Sequence, residues 1–213
     1  MSEHPYRTHT CGALRSADIG TRVRLAGWVH RVRDHGGIVF VDLRDHYGVT
    51  QVVIDPGQPF YADFNRLHLE SVVSICGPVV ERQPETRNPK LDTGLVEVHV
   101  EALEVLSRAE VVPISVNQET PADENLRLRY RFLDLRRETM HRHLHLRSRL
   151  LGYVREALTT LGFSEFQTPI LTSSSPEGAR DFLVPSRLHP GRFFALPQAP
   201  QMFKQLLMVA GFD

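Results

Sequence analysis

Apolar and polar residues alternate along the first part of the chain, and a period of two predicts β-strands. The first alternation puts four small or apolar residues on one face, Val23, Leu25, Gly27 and Val29. The same alternation returns in residues 39–43 and 49–54, and turn-forming stretches separate the three segments. The pattern therefore predicts three consecutive strands joined by tight turns.

A helix and two more strands are predicted after the third strand. Residues 59–70 have helical periodicity, with Phe60, Tyr61, Phe64 and Leu67 on the inward face. Residues 72–80 form a strand broken at Gly77-Pro78, and residues 95–106 form the last strand, with Val96, Val98 and Val100 on one face. Three strands, a helix and two strands predict a five-stranded OB barrel, which commonly binds single-stranded nucleic acid on strands two and three.

The composition changes after the predicted barrel. Residues 107–128 contain prolines and few large apolar residues, which is typical of a linker. Residues 138–161 then repeat apolar positions at spacings of three, four and seven, which predicts a long helix with Gly162 as its C′ residue. His141 and His145 lie four apart on this helix, but no carboxylate or cysteine pattern accompanies them, so we predict a solvated face and no metal.

The last forty residues combine a polar loop with a helix start. The loop around residues 172–181 carries Glu177, and the helix begins near Pro200. Gln201 and Lys204 lie three apart, so their side chains leave the same face of that helix. The loop and the helix start can converge on a small charged molecule, or they form a solvated surface; spacing alone favours neither.

Composition excludes several classes of protein. The chain has 213 residues, with 25 basic and 25 acidic side chains, so a generic polyanion-coating role is disfavoured. No apolar run reaches the roughly 20 residues of a membrane span, and the first residues lack a signal-peptide core. Cys11 and Cys76 form no metal or redox motif, so we expect a cytoplasmic protein with reduced thiols. Only two of the basic residues are lysines, Lys90 and Lys204.

Four stretches resemble a known family. PEGARDFLVPSR and ALPQAPQMFKQLLMVAGFD closely resemble the amino-acid-binding part of bacterial-type aspartyl-tRNA synthetases, which are class II enzymes. GWVHRVRDHGGIVFVDLRDHYGVTQVVID is similar to the anticodon-reading run of that family, and GFSEFQTPIL is similar to class II motif 1. The resemblance implies an α+β protein of two domains, in which a five-stranded OB barrel precedes the start of a class II catalytic domain.

The expected division places the OB-fold anticodon-binding domain in residues 1–106, the hinge in 107–128 and the start of the catalytic domain in 129–213. That last part would contain the long motif 1 helix and antiparallel sheet elements.

The resemblance also assigns residues to roles. It implies six residues that meet the anticodon: Arg31, Arg33, His35, Phe40, Gln51 and Glu97. It implies three that hold aspartate: Glu177, Gln201 and Lys204. Motif 1 supplies Gly162 and Pro169 to a dimer interface. Val32 and Ala199 depart from the family pattern, which has arginine and serine at these positions.

The activity that the resemblance implies is ATP-dependent aspartylation of tRNA-Asp through aspartyl-adenylate, in a cytoplasmic homodimer that uses ATP and Mg²⁺. We find neither motif 2 nor motif 3, so we expect an amino-terminal piece that is inactive alone. It would contain no catalytic residues and no Mg²⁺ ligands.

Alternatives stay open at this point. His35 followed by two glycines resembles the relaxed form of the family, which also aspartylates tRNA-Asn. Phe40 can instead be a core residue beside a solvated arginine edge. The chain can also be a non-catalytic OB-fold RNA-binding module, an asparaginyl-type class II ligase or a dimerising structural fragment.

Overall fold

A computed structural model describes residues 4–118, 121–174 and 180–212. The chain divides into two compact units, Met1–His141 and Arg142–Asp213. The domain boundaries expected at residues 106 and 128 stay predictions. None of the helices in the described ranges combines the length and the apolar character of a membrane span.

The first unit contains a six-stranded sheet. Its strands are β1 (Arg22–His35), β2 (Ile38–Arg44), β3 (Val49–Ile54), β4 (Val72–Glu81), β5 (Val96–His99) and β6 (Ala102–Ser107). The strand order is β1-β2-β3-β5-β4-β6, and an additional pairing of β1 with β4 closes the sheet on itself. β3 and β5 are parallel, and the other pairs are antiparallel. The first five strands therefore form the expected OB barrel.

The inward faces of the strands form the core, as the alternation predicts. Val23, Leu25 and Val29 of β1 are at most 1% exposed. The valines of β5 are equally buried and face the same core. Burial of one such aliphatic side chain contributes about 1.5–3 kcal/mol, so the alternation is the main determinant of the barrel.

The prediction of one strand over residues 95–106 was wrong, because the chain changes partners in the middle. β5 ends at His99, where the N–H of Val100 donates to the carbonyl of Val53, at 2.9 Å. The N–H of Glu101 then donates to the carbonyl of Cys76, and β6 continues along β4. A single straight strand cannot pair first with β3 and then along a different stretch of β4.

The predicted helix over residues 59–70 is shorter in the structure. Helix α1 covers only Tyr61–Phe64, and tighter turns follow it. Its predicted inward face is confirmed, since Phe64 is 2% exposed and Phe60, Tyr61 and Leu67 pack on the core. The helix ends early because the chain must turn to reach Glu70, which has a left-handed φ of 68°.

The predicted break at Gly77-Pro78 was also wrong, since β4 is continuous. Pro78 lies opposite Arg22, the first residue of β1, where the lack of a proline N–H costs little.

Two arginines converge on Glu70, and we call this group the Glu70 clamp (Trp28, Arg44, Glu70 and Arg136). Arg44 donates to both oxygens of Glu70 at 2.9 Å, and Arg136 donates to Oε2 at 2.9 Å. Both guanidinium groups also lie over the Trp28 ring, at 5.6 and 4.8 Å from its centroid. The clamp holds the segment after helices α2 (Glu124–Arg129) and α3 (Arg131–Asp134) against the barrel.

Helix α4 (Glu138–Thr160) matches the predicted long helix. Gly162 follows it with a φ of 93°, so the predicted C′ residue is confirmed. The second unit also contains a hairpin of β7 (Phe182–Pro185) and β8 (Phe193–Leu196), and helix α5 (Gln201–Val209). Thr172 forms a bridge to Ala195 of β8, which is fully buried.

Candidate nucleic-acid interface

Polar and aromatic side chains form two rows across the outer face of the barrel. In the first row, Arg31 of β1 lies opposite Asp42 of β2, and Asp42 lies opposite Gln51 of β3. β3 and β5 pair through Val52 and Val98, so the preceding residues Gln51 and Glu97 are also neighbours. Four strands therefore contribute one row of polar side chains.

The second row begins with Arg33 opposite Phe40 and continues through Val53 to His99. Because side chains two residues apart on a strand share a face, both rows lie on the same side of the sheet. A β-bulge between Val29 and Arg31 shifts the register before the arginines.

Hydrogen bonds connect the rows. One nitrogen of Arg33, Nη2, donates to Asp42 Oδ1 at 2.7 Å and to Gln51 Oε1 at 3.1 Å. Gln51 Nε2 donates to Glu97 Oε2 at 2.7 Å, and the other oxygen of Glu97 lies 3.3 Å from His99 Nε2. The side chains that would meet a ligand are thus oriented by one another before any ligand binds.

A groove of about 230 Å³ lies over this face. It is lined by five residues that the sequence indicated, Arg31, Arg33, His35, Phe40 and Gln51, and by Asp42, Arg82, Thr86, Asn88 and Leu91. The rings of His35 and Phe40 meet edge to face, with their centroids 5.7 Å apart. The structure brings Glu97 to the same place through Gln51.

Sequence reasoning missed Arg82, which lines the groove. Arg82 is 3% exposed; its Nε donates to the carbonyl of Val96 at 2.9 Å and its Nη1 to the carbonyl of Thr86 at 3.4 Å. Among the described residues its Nη2 has no hydrogen-bond partner. A buried unpaired donor is costly, so Nη2 is suited to a ligand that supplies an acceptor. A charged residue two positions after the predicted strand of residues 72–80 was the only signal in the sequence.

The electrostatics of the groove are mixed. Burial lowers the pKa of Arg82 from its ordinary value. Burial raises the pKa of Glu97, but hydrogen bonds from His99 and Gln51 outweigh it, so the net pKa of Glu97 is lowered. The hydrogen bond to Glu97 raises the pKa of His99. The groove can therefore hold phosphate at its guanidinium groups and present an amide and a carboxylate to a base edge.

A larger cavity, of about 440 Å³, is lined in part by Trp28, Arg44 and Arg136 of the Glu70 clamp. Both of these guanidinium groups are already bound to Glu70. The smaller groove has the unpaired Arg82 donor and the partly exposed Phe40 ring, and we assign the interface to it.

The residues expected to hold an amino acid lie in the second unit. Gln201 is the first residue of α5, and Lys204 lies on the exposed part of the same helix, its N–H bonded to the carbonyl of Pro200 at 3.0 Å. Glu177 lies outside the described residues. Gly162 caps α4, and Pro169 is exposed. Whether these residues form a common site stays a prediction.

Comparison with known proteins adds two family matches. Residues 23–106 match the OB-fold nucleic acid binding domain, and residues 123–213 match the class II tRNA synthetases (D, K and N). The chain is 60% identical to the aspartate–tRNA(Asp/Asn) ligase of Paramagnetospirillum magneticum, over 99% of the chain and 24% of that protein. It is also 60% identical to the ligase of the same name from Acidiphilium cryptum, over 35% of that protein. Across the similar ligases compared, the chain spans 24% to 36% of their length.

Solved structures agree with the fold. The asparaginyl-tRNA synthetase of Pyrococcus horikoshii, complexed with asparaginyl-adenylate, superposes with a TM-score of 0.81 at 27% identity, over 96% of the chain and 45% of that protein. A putative aspartyl-tRNA synthetase of Leishmania major superposes with a TM-score of 0.82 at 19% identity, over 98% of the chain and 42% of that protein, a likeness of fold alone.

Proposed function

The chain belongs to the class II tRNA synthetases of the D, K and N group, and we propose that it supplies the anticodon-binding and amino-acid-binding parts of an aspartate–tRNA ligase. The observation that carries the proposal is the groove on the barrel. It gathers an aromatic ring, guanidinium groups, an amide and a carboxylate on one sheet face. This set can stack a base, hold phosphate and pair with a base edge.

We assign base stacking in the groove to Phe40. Its ring lies on the sheet face between the second-row residues Arg33 and Val53, and the ring of His35 meets it in a T-shaped contact. Base stacking on an aromatic residue contributes about 1–3 kcal/mol per base. Phe40→Leu should therefore weaken binding of a tRNA-Asp anticodon stem-loop by about 5- to 100-fold.

Fluorescence anisotropy with the labelled stem-loop measures this change. Tyr6→Ala removes an exposed aromatic ring elsewhere in the same unit and should leave the affinity within about two-fold. Equal loss in both variants, or none in Phe40→Leu, would contradict the assignment.

In the whole protein, the second unit would recognise aspartate. A lone ammonium at Lys204 can pair with the side-chain carboxylate, while Gln201 and Glu177 contact the rest of the amino acid. Asparagine has nearly the same shape but leaves the ammonium without its counter-charge, so it is rejected. ATP would activate the aspartate carboxylate as an adenylate when it is bound.

Lys204→Met in the whole protein tests the amino-acid assignment by ATP–pyrophosphate exchange. The aspartate KM should rise by about 100-fold or more, while the ATP KM changes little, because the charge-assisted contact to the aspartate carboxylate is lost. Lys90→Met removes the other lysine of this chain and should leave the aspartate KM unchanged. An unchanged aspartate KM in Lys204→Met would refute the assignment.

Pyrophosphate exchange and stem-loop binding together distinguish two other functions. An asparaginyl-type ligase, which is the activity named for the similar Pyrococcus structure, would exchange pyrophosphate with asparagine instead of aspartate. A non-catalytic RNA-binding module would bind the stem-loop without any exchange.

We also propose that the ligase aspartylates both tRNA-Asp and tRNA-Asn. Ligases similar to this chain are named for both tRNAs. His35 contacts the stacking residue Phe40 at the rim of the groove. Aminoacylation of both transcripts by the whole protein tests the proposal, and strict preference for tRNA-Asp would reject it.

We further propose a cytoplasmic homodimer that forms through α4 and the motif 1 residues Gly162 and Pro169. Leu146, Leu150 and Tyr153 of α4 are each more than half exposed, which is costly without a covering surface. Cys11 and Cys76 are unpaired, in keeping with a reducing compartment. Sedimentation of the whole protein tests the dimer, and a monomer at micromolar concentration would contradict it.

A further inference from the structure

We infer that His99 is a positioning residue of the anticodon groove, which holds Glu97, and through Glu97 the Gln51 amide, in the orientation that meets an RNA base. The inference rests on the proposed function. It concerns a residue that neither the sequence motifs nor the groove lining had indicated.

The position of His99 follows from the sheet. Val53 of β3 pairs with His99 of β5, and Phe40 pairs with Val53. His99 therefore ends the second row, on the same face as the stacking residue Phe40. Glu97 lies two residues earlier on β5 and shares that face.

The contacts of Glu97 divide between its two oxygens. Oε2 accepts the amide proton of Gln51 at 2.7 Å, and Oε1 lies 3.3 Å from His99 Nε2. The Glu97 side chain is only 12% exposed, whereas that of His99 is 41% exposed. His99 is thus the outer end of a chain of hydrogen bonds that runs through Glu97 and Gln51 to Arg33.

This chain of bonds decides which face of the Gln51 amide points toward a ligand. Gln51 Oε1 accepts from Arg33, and its Nε2 donates to Glu97. An amide that is free to flip presents either a donor or an acceptor to a base. With both ends held, Gln51 keeps one orientation, which is what base discrimination requires.

Protonation of His99 strengthens this arrangement. The charged groups around the pair are Glu97 itself, Asp42 of β2, Asp55 after β3, Arg33 of β1 and Arg82 after β4. The bond to Glu97 raises the pKa of His99 despite its partial burial, and Asp55 acts in the same direction. The imidazolium form therefore persists above the ordinary pKa of 6.5, and it is lost as the pH rises through the raised value.

The test is the affinity for the tRNA-Asp anticodon stem-loop between about pH 5.5 and about pH 8.5. Wild type should bind about five-fold more tightly at the acidic end than His99→Gln, because a charge-assisted hydrogen bond is stronger than a neutral one. The two proteins should converge at the alkaline end. His99→Leu, which cannot donate, should bind more weakly than His99→Gln at every pH.

Other groups that titrate in this range act equally in all variants and cancel in the comparison. His143→Gln removes an exposed histidine of α4 and should reproduce the wild-type profile. A nuclear magnetic resonance titration of His99 supplies a readout without RNA: Glu97→Gln should lower its pKa, and an unchanged pKa would overturn the pairing.

Parallel pH profiles for wild type and His99→Gln would overturn the positioning role while leaving the proposed function intact. Absence of stem-loop binding by wild type at every pH would instead reject the proposed function, and the positioning role with it.

Discussion

Gly77 occupies a point of β4 at which the neighbouring backbone leaves no room for a side chain. A Cβ atom at this position would lie 1.8 Å from the carbonyl oxygen of His99. The close approach occurs where β5 ends and the chain crosses to β6. The glycine therefore permits the change of partners that divides the predicted last strand, and it does not break β4.

Gly77→Ala should reduce the free energy of unfolding by about 2–3 kcal/mol or more, since backbone on one side must move. Urea unfolding followed by circular dichroism measures the change. Gly57→Ala is the matched control, because a Cβ atom added at Gly57 would meet nothing within 4 Å; it should change stability by less than about 0.5 kcal/mol. A tolerated Gly77→Ala would contradict the described crossing.

At the scale of elements, the end of α4 is determined by local geometry. The N–H of Gly162 donates to the carbonyl of Thr159 and that of Phe163 to the carbonyl of Leu158, both at 3.0 Å. These two bonds satisfy the last carbonyl groups of the helix and require a left-handed residue at Gly162.

Two glycines of the same segment should respond in opposite directions to alanine. Gly162→Ala should lower stability by about 1 kcal/mol, because its φ of 93° strains any residue with a Cβ atom. Gly152 lies inside α4 with open space around it, so Gly152→Ala should raise the stability by about 0.5–1 kcal/mol. Thermal unfolding compares the two, and shifts of the same sign would show that the cap does not form.

The Glu70 clamp joins the barrel to the segment that leads into α4. The side chain of Glu70 is 4% exposed, and those of its partners Arg44 and Arg136 are 14% and 32% exposed. Glu70→Gln should cost about 2–3 kcal/mol, since two desolvated guanidinium groups lose their counter-charge.

The exposed pair of Glu81 and Arg87 supplies the control for the clamp. Its side chains are 59% and 40% exposed, so Glu81→Gln should cost less than about 1 kcal/mol. Equal unfolding midpoints for the two variants in urea would show that the clamp contributes no more than a surface ion pair.

At the scale of the whole molecule, the two units differ in how they bury apolar residues. The barrel unit contains the buried hydrophobic cluster, whereas Ala195 is the one fully buried apolar residue described in the second unit. Most of the large apolar side chains of α4, the hairpin and α5 are exposed.

Acid should destabilise the barrel unit through His30. Burial, with the nearby Arg44 and Arg31 charges, lowers the pKa of His30 from 6.5 to about 4. As the pH falls, the unfolded chain therefore binds a proton at His30 before the folded chain does. The contribution of His30 to the free energy of unfolding is complete above about pH 6.5 and is lost as the pH falls toward about 4. The contribution of His99 to stability has the opposite pH dependence, because its pKa is raised and the contribution is lost as the pH rises.

Between about pH 6.5 and about pH 4.5, wild type should lose about 1–2 kcal/mol more stability than His30→Gln, with allowance for solvent screening. The amide of glutamine keeps an acceptor for Arg44, which donates to His30 Nδ1 at 2.7 Å, but does not titrate. Urea unfolding at each pH measures the difference, and parallel curves would contradict a half-buried, neutral His30.

Local patterns were sufficient for much of this protein. Alternation predicted the core faces of β1, β2 and β5, helical spacing predicted α4, and a glycine signal predicted its end. These features depend on residues that are close along the chain, so the local sequence pattern is sufficient to predict them. The family motifs likewise indicated half of the residues that line the groove, because those residues lie in one continuous run of the sequence.

The tertiary structure alone decided the features that depend on distant backbone. The division of the last strand and the need for Gly77 arise because β4 must pair with three neighbours at once. The roles of Arg82, Glu70 and His99 likewise depend on which strand lies beside which, and no local spacing expresses that arrangement. Most of the partners in these hydrogen bonds and buried ion pairs are far apart in the sequence, and they come within contact distance only when the barrel closes.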